Sequence, residues 1–245
     1  MIIYGINPVL EALRSGRVTE VRVSDRADAR IRQVLDLAEK QGVHVRRAAV
    51  DQLDRDARKG VHQGVVADVD APREYSVEEL VRGAKGTPLL VVLDGIEDPH
   101  NLGAILRTAD AAAVDGVIVQ RRRSAALGGA AAKASAGAVA HVRIAEVVNI
   151  ARALEELKDA GVWTVGLAAE VDTPYDAIDF RQPSAVVVGA EGTGLRRLVR
   201  ERCDYLASIP MAGHVGSLNV SVAAGVTLFE AVRQRRHAGA THRKD

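Results

Sequence analysis

The first seventy residues alternate between helix-period and strand-period runs of apolar positions. Leu10 and Leu13 share one face of a helix that Asn7 would cap and Pro8 would open. EVRVS at 20–24 reads as a short strand. An amphipathic helix over 29–41 follows, with Ile31, Val34, Leu35 and Ala38 in phase and Gly42 as its stop. VHVRRA at 43–48 alternates as a strand, 50–58 suits a helix, and GVVADV at 64–69 suits another strand. These elements predict a small α/β domain over residues 1–70. The breaker-rich, charged segment 71–87 reads as a linker around one short helix at 77–82.

Beyond residue 88 the pattern changes. PLLVVLDG is a nearly continuous apolar run of the kind made by a strand buried on both faces of a parallel sheet. Similar runs recur at 116–120, 163–169, 184–191 and 205–210, separated by helix-period segments such as 102–113 and 149–160. The fold class predicted for 88–245 is therefore α/β with a doubly wound parallel sheet. The Ala/Gly-rich stretch 124–140 reads as partly helical, and the end, RQRRHAGATHRKD, as frayed.

Composition narrows the chemistry without naming it. Lys and Arg number 33 against 32 Asp and Glu, a net charge of +1, so any nucleic-acid footprint must be a local patch. One cysteine, Cys203, excludes an intrachain disulfide and a cysteine-rich zinc site, and no metal is expected. No run approaches a membrane span and the start lacks a signal-peptide pattern, so no membrane partner and a cytoplasmic protein are expected.

Ligands of open parallel sheets collect beyond the carboxyl ends of strands, which directs attention to the loops after Leu93, Val188 and Ile209. No strand is followed by GxGxxG with an acidic residue about twenty positions on, and GxxxxGK[ST] is absent. The first loop runs through Asp98-Pro99 to Asn101, a candidate helix cap, and to Arg107 six residues on. Six residues turn a helix by roughly 600°, so both can flank one site only if the cap projects outward. The second holds Glu191 among Gly189, Gly192 and Gly194, where backbone can approach a ligand closely. The third leads through Ser217, Leu218 and Asn219 into a helix, and Ser217 or Asn219 could simply cap it. Together the loops offer backbone edges, one carboxylate, one guanidinium and small polar groups.

NLGAILRTADA at 101–111, VVVGAEGTGL at 186–195 and IPMAGHVGSLNVSVAAGV at 209–226 resemble, in order, the three motifs of the SpoU (TrmH-type) RNA 2′-O-methyltransferases. YGINPVLEAL and VHQGVVA extend the likeness over the preceding domain, which resembles a ribosomal-protein-like RNA-binding extension. The resemblance implies a deep trefoil knot in the C-terminal domain, a homodimer, and S-adenosylmethionine as cofactor. Its cofactor-binding positions fall on Gly189, Ile209 and Leu218. Its catalytic or substrate-handling positions fall on Asn101, Arg107, Glu191, Ser217 and Asn219. A guanidinium keeps its proton in proteins, so Arg107 is expected to clamp the target phosphate and steady the developing alkoxide, with Glu191 orienting it.

The implied substrate is 23S ribosomal RNA, at a guanosine of the peptidyl-transferase-centre loop. A tRNA 2′-O-methyltransferase, a resistance-conferring rRNA adenosine methylase and a non-catalytic assembly factor are the alternatives. Candidate RNA contacts are Arg46, Arg47, Arg55, Arg58 and Lys59 in the first domain and Arg121, Arg122 and Arg123 beside the catalytic loops. Aromatic residues make up 3%, too few for a stacking platform, so shape and phosphate contacts should dominate.

Overall fold

The computed structural model describes residues 1–25, 29–58, 60–70, 73–122, 124–125, 127 and 129–241. Lys59 and Arg123 lie outside the described residues. The chain divides into two compact units, Met1–Pro72 with Ala126–His141, and Arg73–Ala125 with Val142–Asp245.

In chain order the elements begin β1 (Ile2–Tyr4), α1 (Ile6–Arg14), β2 (Val18–Val23), α2 (Ala29–Lys40), β3 (His44–Arg47), α3 (Val50–Asp56) and β4 (Val65–Val69). There follow α4 (Val77–Arg82), β5 (Leu89–Asp94), α5 (Pro99–Ala111), β6 (Gly116–Gln120), α6 (Gly129–Ala134), β7 (Ile144–Val147) and α7 (Ile150–Asp159). The chain closes with β8 (Trp163–Leu167), β9 (Ser184–Gly189), α8 (Arg197–Arg202), β10 (Tyr205–Ala207) and α9 (Val220–Thr241).

The first unit is a four-stranded sheet in the order β1-β4-β2-β3, with only the β2/β3 pair parallel. Its core joins Val9 and Leu13 of α1 to Val34 and Ala38 of α2 and to Val21, Val23, Val65 and Ala67 of the sheet, all buried. Three short apolar residues are too few to show a period, which is why β1 escapes the sequence pattern. The cap of α1 also differs from expectation. Gly5 is its N-cap, and Oε1 of Gln63, 57 residues away, accepts the Ile6 N–H at 3.1 Å. That side chain satisfies the open donor which local reading gave to Asn7. The Ala/Gly-rich stretch is partly helical, as α6, and its residues 129–140 group with the first unit rather than with the residues that flank it in sequence. Val139 meets Ile3, Pro8 and Ala12 around a small apolar pocket there, and His141 lies 3.6 Å from Glu11.

The second unit is a six-stranded, all-parallel sheet in the order β10-β8-β9-β5-β6-β7. Both central strands, β5 and β9, are buried at every residue, the two-sided burial that their unbroken apolar runs predict. Alternation sorts their side chains. Leu90, Val92, Ala185 and Val187 join Leu80 of α4, Leu154 and Leu157 of α7 and Val199 of α8 in one core, while α5 and α9 pack together on the other side. β7 is a sixth strand that the pattern of five runs omits. Residues 233–241 continue α9 instead of fraying. Gln234 accepts the Phe180 N–H at 2.9 Å, and Arg235 donates to the carbonyls of Phe180 and Pro88, each at 2.8 Å. Desolvation by burial holds the Arg235 guanidinium below its ordinary range.

Candidate active site

β5 and β9 run side by side to a shared end, where Asp94 registers with Gly189. The chain leaves β5 toward β6 and β7 and returns on the opposite side through β8, β9 and β10, so the order of strands reverses at this point. Asp94 is fully buried there and clasps the turn after β9. Its Oδ2 accepts the backbone N–H of Arg196 at 2.8 Å and its Oδ1 accepts Nε of the same residue at 2.6 Å. The Arg196 guanidinium reaches on to Gln120 Oε1 at 2.7 Å. Within the turn, Gly194 N–H bonds back to Ala190 O at 2.9 Å. Gly189 makes this fold possible, because a Cβ there would overlap the Gly194 carbonyl and the Leu195 nitrogen.

Two cavities adjoin at the turn. The first, about 380 Å³, is walled by Val188, Gly189, Leu195, Ile209, Met211 and the run 216–220, with Leu167 and Ala207 behind. The second, about 410 Å³, is walled by Asp94–Asp98, Asn101 and Arg196. Ala190, Glu191, Thr193, Gly194 and Val220 belong to both.

A chain of amides bridges the partition. Asn219 Nδ2 donates to Asn101 Oδ1 at 3.0 Å, and Asn101 Nδ2 donates to Glu191 Oε2 at 3.1 Å. The directions are forced, since a carboxylate can only accept. Asn101 does not cap α5 as the sequence suggests. Asp98 caps it, accepting the His100 N–H at 3.0 Å, and Pro99 opens the helix. Asn101 sits one turn further in, 7% exposed, with both amide ends free for other loops. Asn219 does cap, its Oδ1 accepting the Ser221 N–H at 2.9 Å, while its amide nitrogen serves the bridge. Three turns are thus tied by two hydrogen bonds that span 90 and 118 residues of chain.

The profile of the SpoU rRNA Methylase family matches residues 88–229. The chain belongs to that family. A profile described as RNA 2′-O ribose methyltransferase substrate binding matches residues 2–75. Among curated relatives, the 23S rRNA (guanosine-2′-O-)-methyltransferase RlmB of Pseudomonas aeruginosa is 46% identical, covering 95% of this chain and 96% of its own. The RlmB of Yersinia pestis is 48% identical over 96% and 97%. Among solved structures, the SpoU methyltransferase AviRb of Streptomyces viridochromogenes in complex with the cofactor AdoMet superposes with a TM-score of 0.80 at 28% identity, covering 97% of this chain and 91% of that one.

In this SpoU methylase the sequence-derived positions separate into two groups. Gly189, Ile209, Leu218, Glu191, Ser217 and Asn219 all line the first cavity, and Asn101 lines the second beside it. Arg107 stands apart. It is exposed on α5, lines neither cavity, and makes no hydrogen bond or ion pair among the described residues. Glu191 is engaged by Asn101, so the expected Glu191–Arg107 contact is absent within the chain, as the turn of helix between Asn101 and Arg107 dictates.

The clasp of Asp94 and Arg196 is a part of the site that motif reading missed. So is the pair of Glu170 and Arg200 on the cavity wall, in which the backbone of Glu170 and the Arg200 guanidinium hold the carboxyl below its ordinary range. Asp94 ends β5 and Glu170 follows the end of β8, the carboxyl ends to which the rule that located the other loops points. Arg46, Arg47, Arg55, Arg58, Arg121 and Arg122 are all exposed. Arg47 donates to Ser24 O at 3.1 Å, and Arg121 lies 3.7 Å from Glu74, so these two are partly committed. Among the described residues no group of His, Cys, Asp and Glu could hold a metal, and no helix is long and apolar enough to cross a membrane.

Proposed function

We propose that this protein methylates the ribose 2′-hydroxyl of a guanosine in 23S rRNA, with S-adenosylmethionine bound in the first cavity and the target ribose in the second. The observation that carries the reading is the amide bridge from Asn219 through Asn101 to Glu191 on the partition of two adjoining cavities. The first cavity suits the cofactor by its chemistry. The close turn at Gly189 exposes main-chain edges to hydrogen-bond an adenine, and Leu167, Val188, Leu195 and Met211 give the apolar surface that a thioether and a purine need. Bound S-adenosylmethionine supplies a methyl group already activated by the positive charge on sulfur.

The residues of the chain then have to present a poor nucleophile. Asn101 and Asn219 fix the rim, Glu191 accepts from Asn101 and faces both cavities, and Ser217 offers a hydroxyl to the bound molecules. Arg107 clamps the target phosphate and steadies the alkoxide, while the proton of the 2′-hydroxyl leaves to phosphate or water. We read the active assembly as a homodimer. The exposed Val222 and Phe229, seven residues apart on α9, present an apolar face on the same helix pair as Arg107, and a second copy docked there brings its own arginine to the site. We also read the second unit as a trefoil knot, which accounts for turns so distant in sequence closing on one cavity. The first unit and its exposed arginines dock the RNA in the cytoplasm.

Labelled S-adenosylmethionine with 23S rRNA fragments and tRNA, followed by mapping of the modified ribose, tests the substrate. Label on a 23S guanosine is expected, and transfer confined to tRNA would overturn the assignment. Mixing Arg107→Ala chains with Asn101→Ala chains tests the dimer. Mixed dimers should regain activity that neither variant has alone, because one composite site is intact, and no recovery would place Arg107 in its own chain's site.

A further inference from the structure

Two charged side chains on the wall of the first cavity have no part in the methyl transfer. Glu170 and Arg200 line that cavity alone, whereas Glu191, the third charged residue on its wall among the described residues, faces both cavities. β8 lies between β9 and β10 in the sheet, with Gly166 opposite Val187 and Leu167 opposite Ala207. Glu170, three residues beyond β8, therefore stands past the middle of three strand ends. The strands on either side lead to Gly189 and Ile209. Ligands of open parallel sheets collect at such ends.

The partner of Glu170 is held by rigid elements. Asp94 clasps Arg196, the N-cap of α8, and Val199 of that helix is buried in the core. Gly166 lets Leu195 and Cys203 close on β8, since a Cβ there would lie 2.8 and 2.9 Å from their side chains. The helix so fixed presents Arg200, whose Nη1 donates to Glu170 Oε1. An exposed ion pair adds little to stability, so the fold does not account for this one. The Glu170 side chain stays 64% exposed, and one ion pair leaves acceptor capacity on its two oxygens.

Charge balance separates the two carboxylates of the cavity. Glu191 is held by the neutral amide of Asn101, so its negative charge is uncompensated and suits the cationic part of the cofactor. Glu170 is compensated by Arg200 and suits neutral donors instead. S-adenosylmethionine carries one adjacent pair of neutral O–H donors, the ribose hydroxyls. A carboxylate, which only accepts, matches them with its two oxygens. We propose that Glu170 is the ribose acceptor of the cofactor site, taking both hydroxyls of the adenosine ribose, and that Arg200 is the positioning residue that orients it. The proposal rests on the reading that the first cavity holds S-adenosylmethionine, and it adds a specificity residue outside the three motifs.

The test titrates the full chain in a calorimeter with three molecules. They are S-adenosylmethionine, 5′-methylthioadenosine, which keeps the ribose but has no amino-acid end, and 2′,3′-dideoxy-5′-methylthioadenosine. Glu170→Ala should weaken the first two by about tenfold each, the worth of hydrogen bonds to a charged group. The parent should bind the dideoxy compound about tenfold more weakly than 5′-methylthioadenosine. Glu170→Ala should bind it as the parent does, which also shows that the variant is folded. Arg200→Met should weaken 5′-methylthioadenosine and leave the dideoxy compound unmoved, a dependence on the diol that a merely structural pair would not show. Unchanged affinity of Glu170→Ala for 5′-methylthioadenosine, or an equal loss with the dideoxy compound, would overturn the proposal. A loss with S-adenosylmethionine that 5′-methylthioadenosine does not share would also overturn it, by giving Glu170 to the amino-acid end. No uptake of either ribose compound by the parent would instead sink the cofactor reading itself.

Discussion

Asn101 shows how much one side chain can carry. Its amide donates at one end and accepts at the other, and no isosteric residue does both. Asn101→Asp keeps the shape but sets a second carboxylate against Glu191 in a buried position. Methyl transfer should fall by about a hundredfold, since misplacement of reacting groups on the ångström scale is that costly. Stability should fall by about 1–3 kcal/mol, the cost of a buried polar group that loses its partner. Single-turnover transfer and urea unfolding check the two expectations. Residue types at this site are legible in sequence, but the partner of each is not. Glu191 reads as a partner of Arg107 until the structure gives it Asn101, and Asn101 reads as a cap until Asp98 takes that place.

Among the elements, the turn after β9 is the one on which the proposed cofactor site rests. It is closed from inside by the absence of a side chain at Gly189 and held from outside by Asp94. Gly189→Ala should push Gly194 and Leu195 away from the strand end, with an overpacking cost of about 1–3 kcal/mol. Affinity for S-adenosylmethionine, measured by calorimetry, should drop tenfold or more, and affinity equal to the parent's would show that the turn is not the cofactor's cradle. The long apolar runs announce β5 and β9 without ambiguity, because burial on both faces confines their polar residues, Asp94 and Ser184, to the strand ends. β1 and β7, of three and four residues, go unread, whereas the equally short β3 and β10 are legible because the runs 43–48 and 205–210 extend beyond them. Cap assignments fail for a different reason. A cap can be supplied from 57 residues away, as Gln63 does for α1.

For the whole molecule, two neighbouring groups beside β10 make stability depend on pH in opposite directions. Burial, with the charges of Asp204 and Asp94 added, pushes the Cys203 thiol from an ordinary 9.0 up to about 12. An unfolded chain releases that proton earlier than the folded one, so stability should decline as pH rises from 9 toward 12. Asp204 behaves oppositely. Burial opposes its charge, but hydrogen bonds from the Thr164 N–H at 2.9 Å and hydroxyl at 2.8 Å, with Lys158 at 3.1 Å, outweigh it and hold the carboxyl below its ordinary 3.8. Its contribution is intact above that value and lost as acid protonates the folded carboxylate. Urea midpoints across the pH range should fall at both ends. Cys203 should stay unlabelled by thiol reagents at pH 8 until the protein unfolds.

The sequence by itself determined the class of the fold, the three chemical turns and the types of residue in them, because burial of a parallel sheet and the chemistry of its strand ends are written in local pattern. Only the tertiary structure decided which turns meet, that Asp94 locks one of them, that Arg107 stands outside its own chain's cavities, and that residues 129–141 group with the first unit. Those facts depend on contacts between residues far apart along the chain, whose closure in space no local period records.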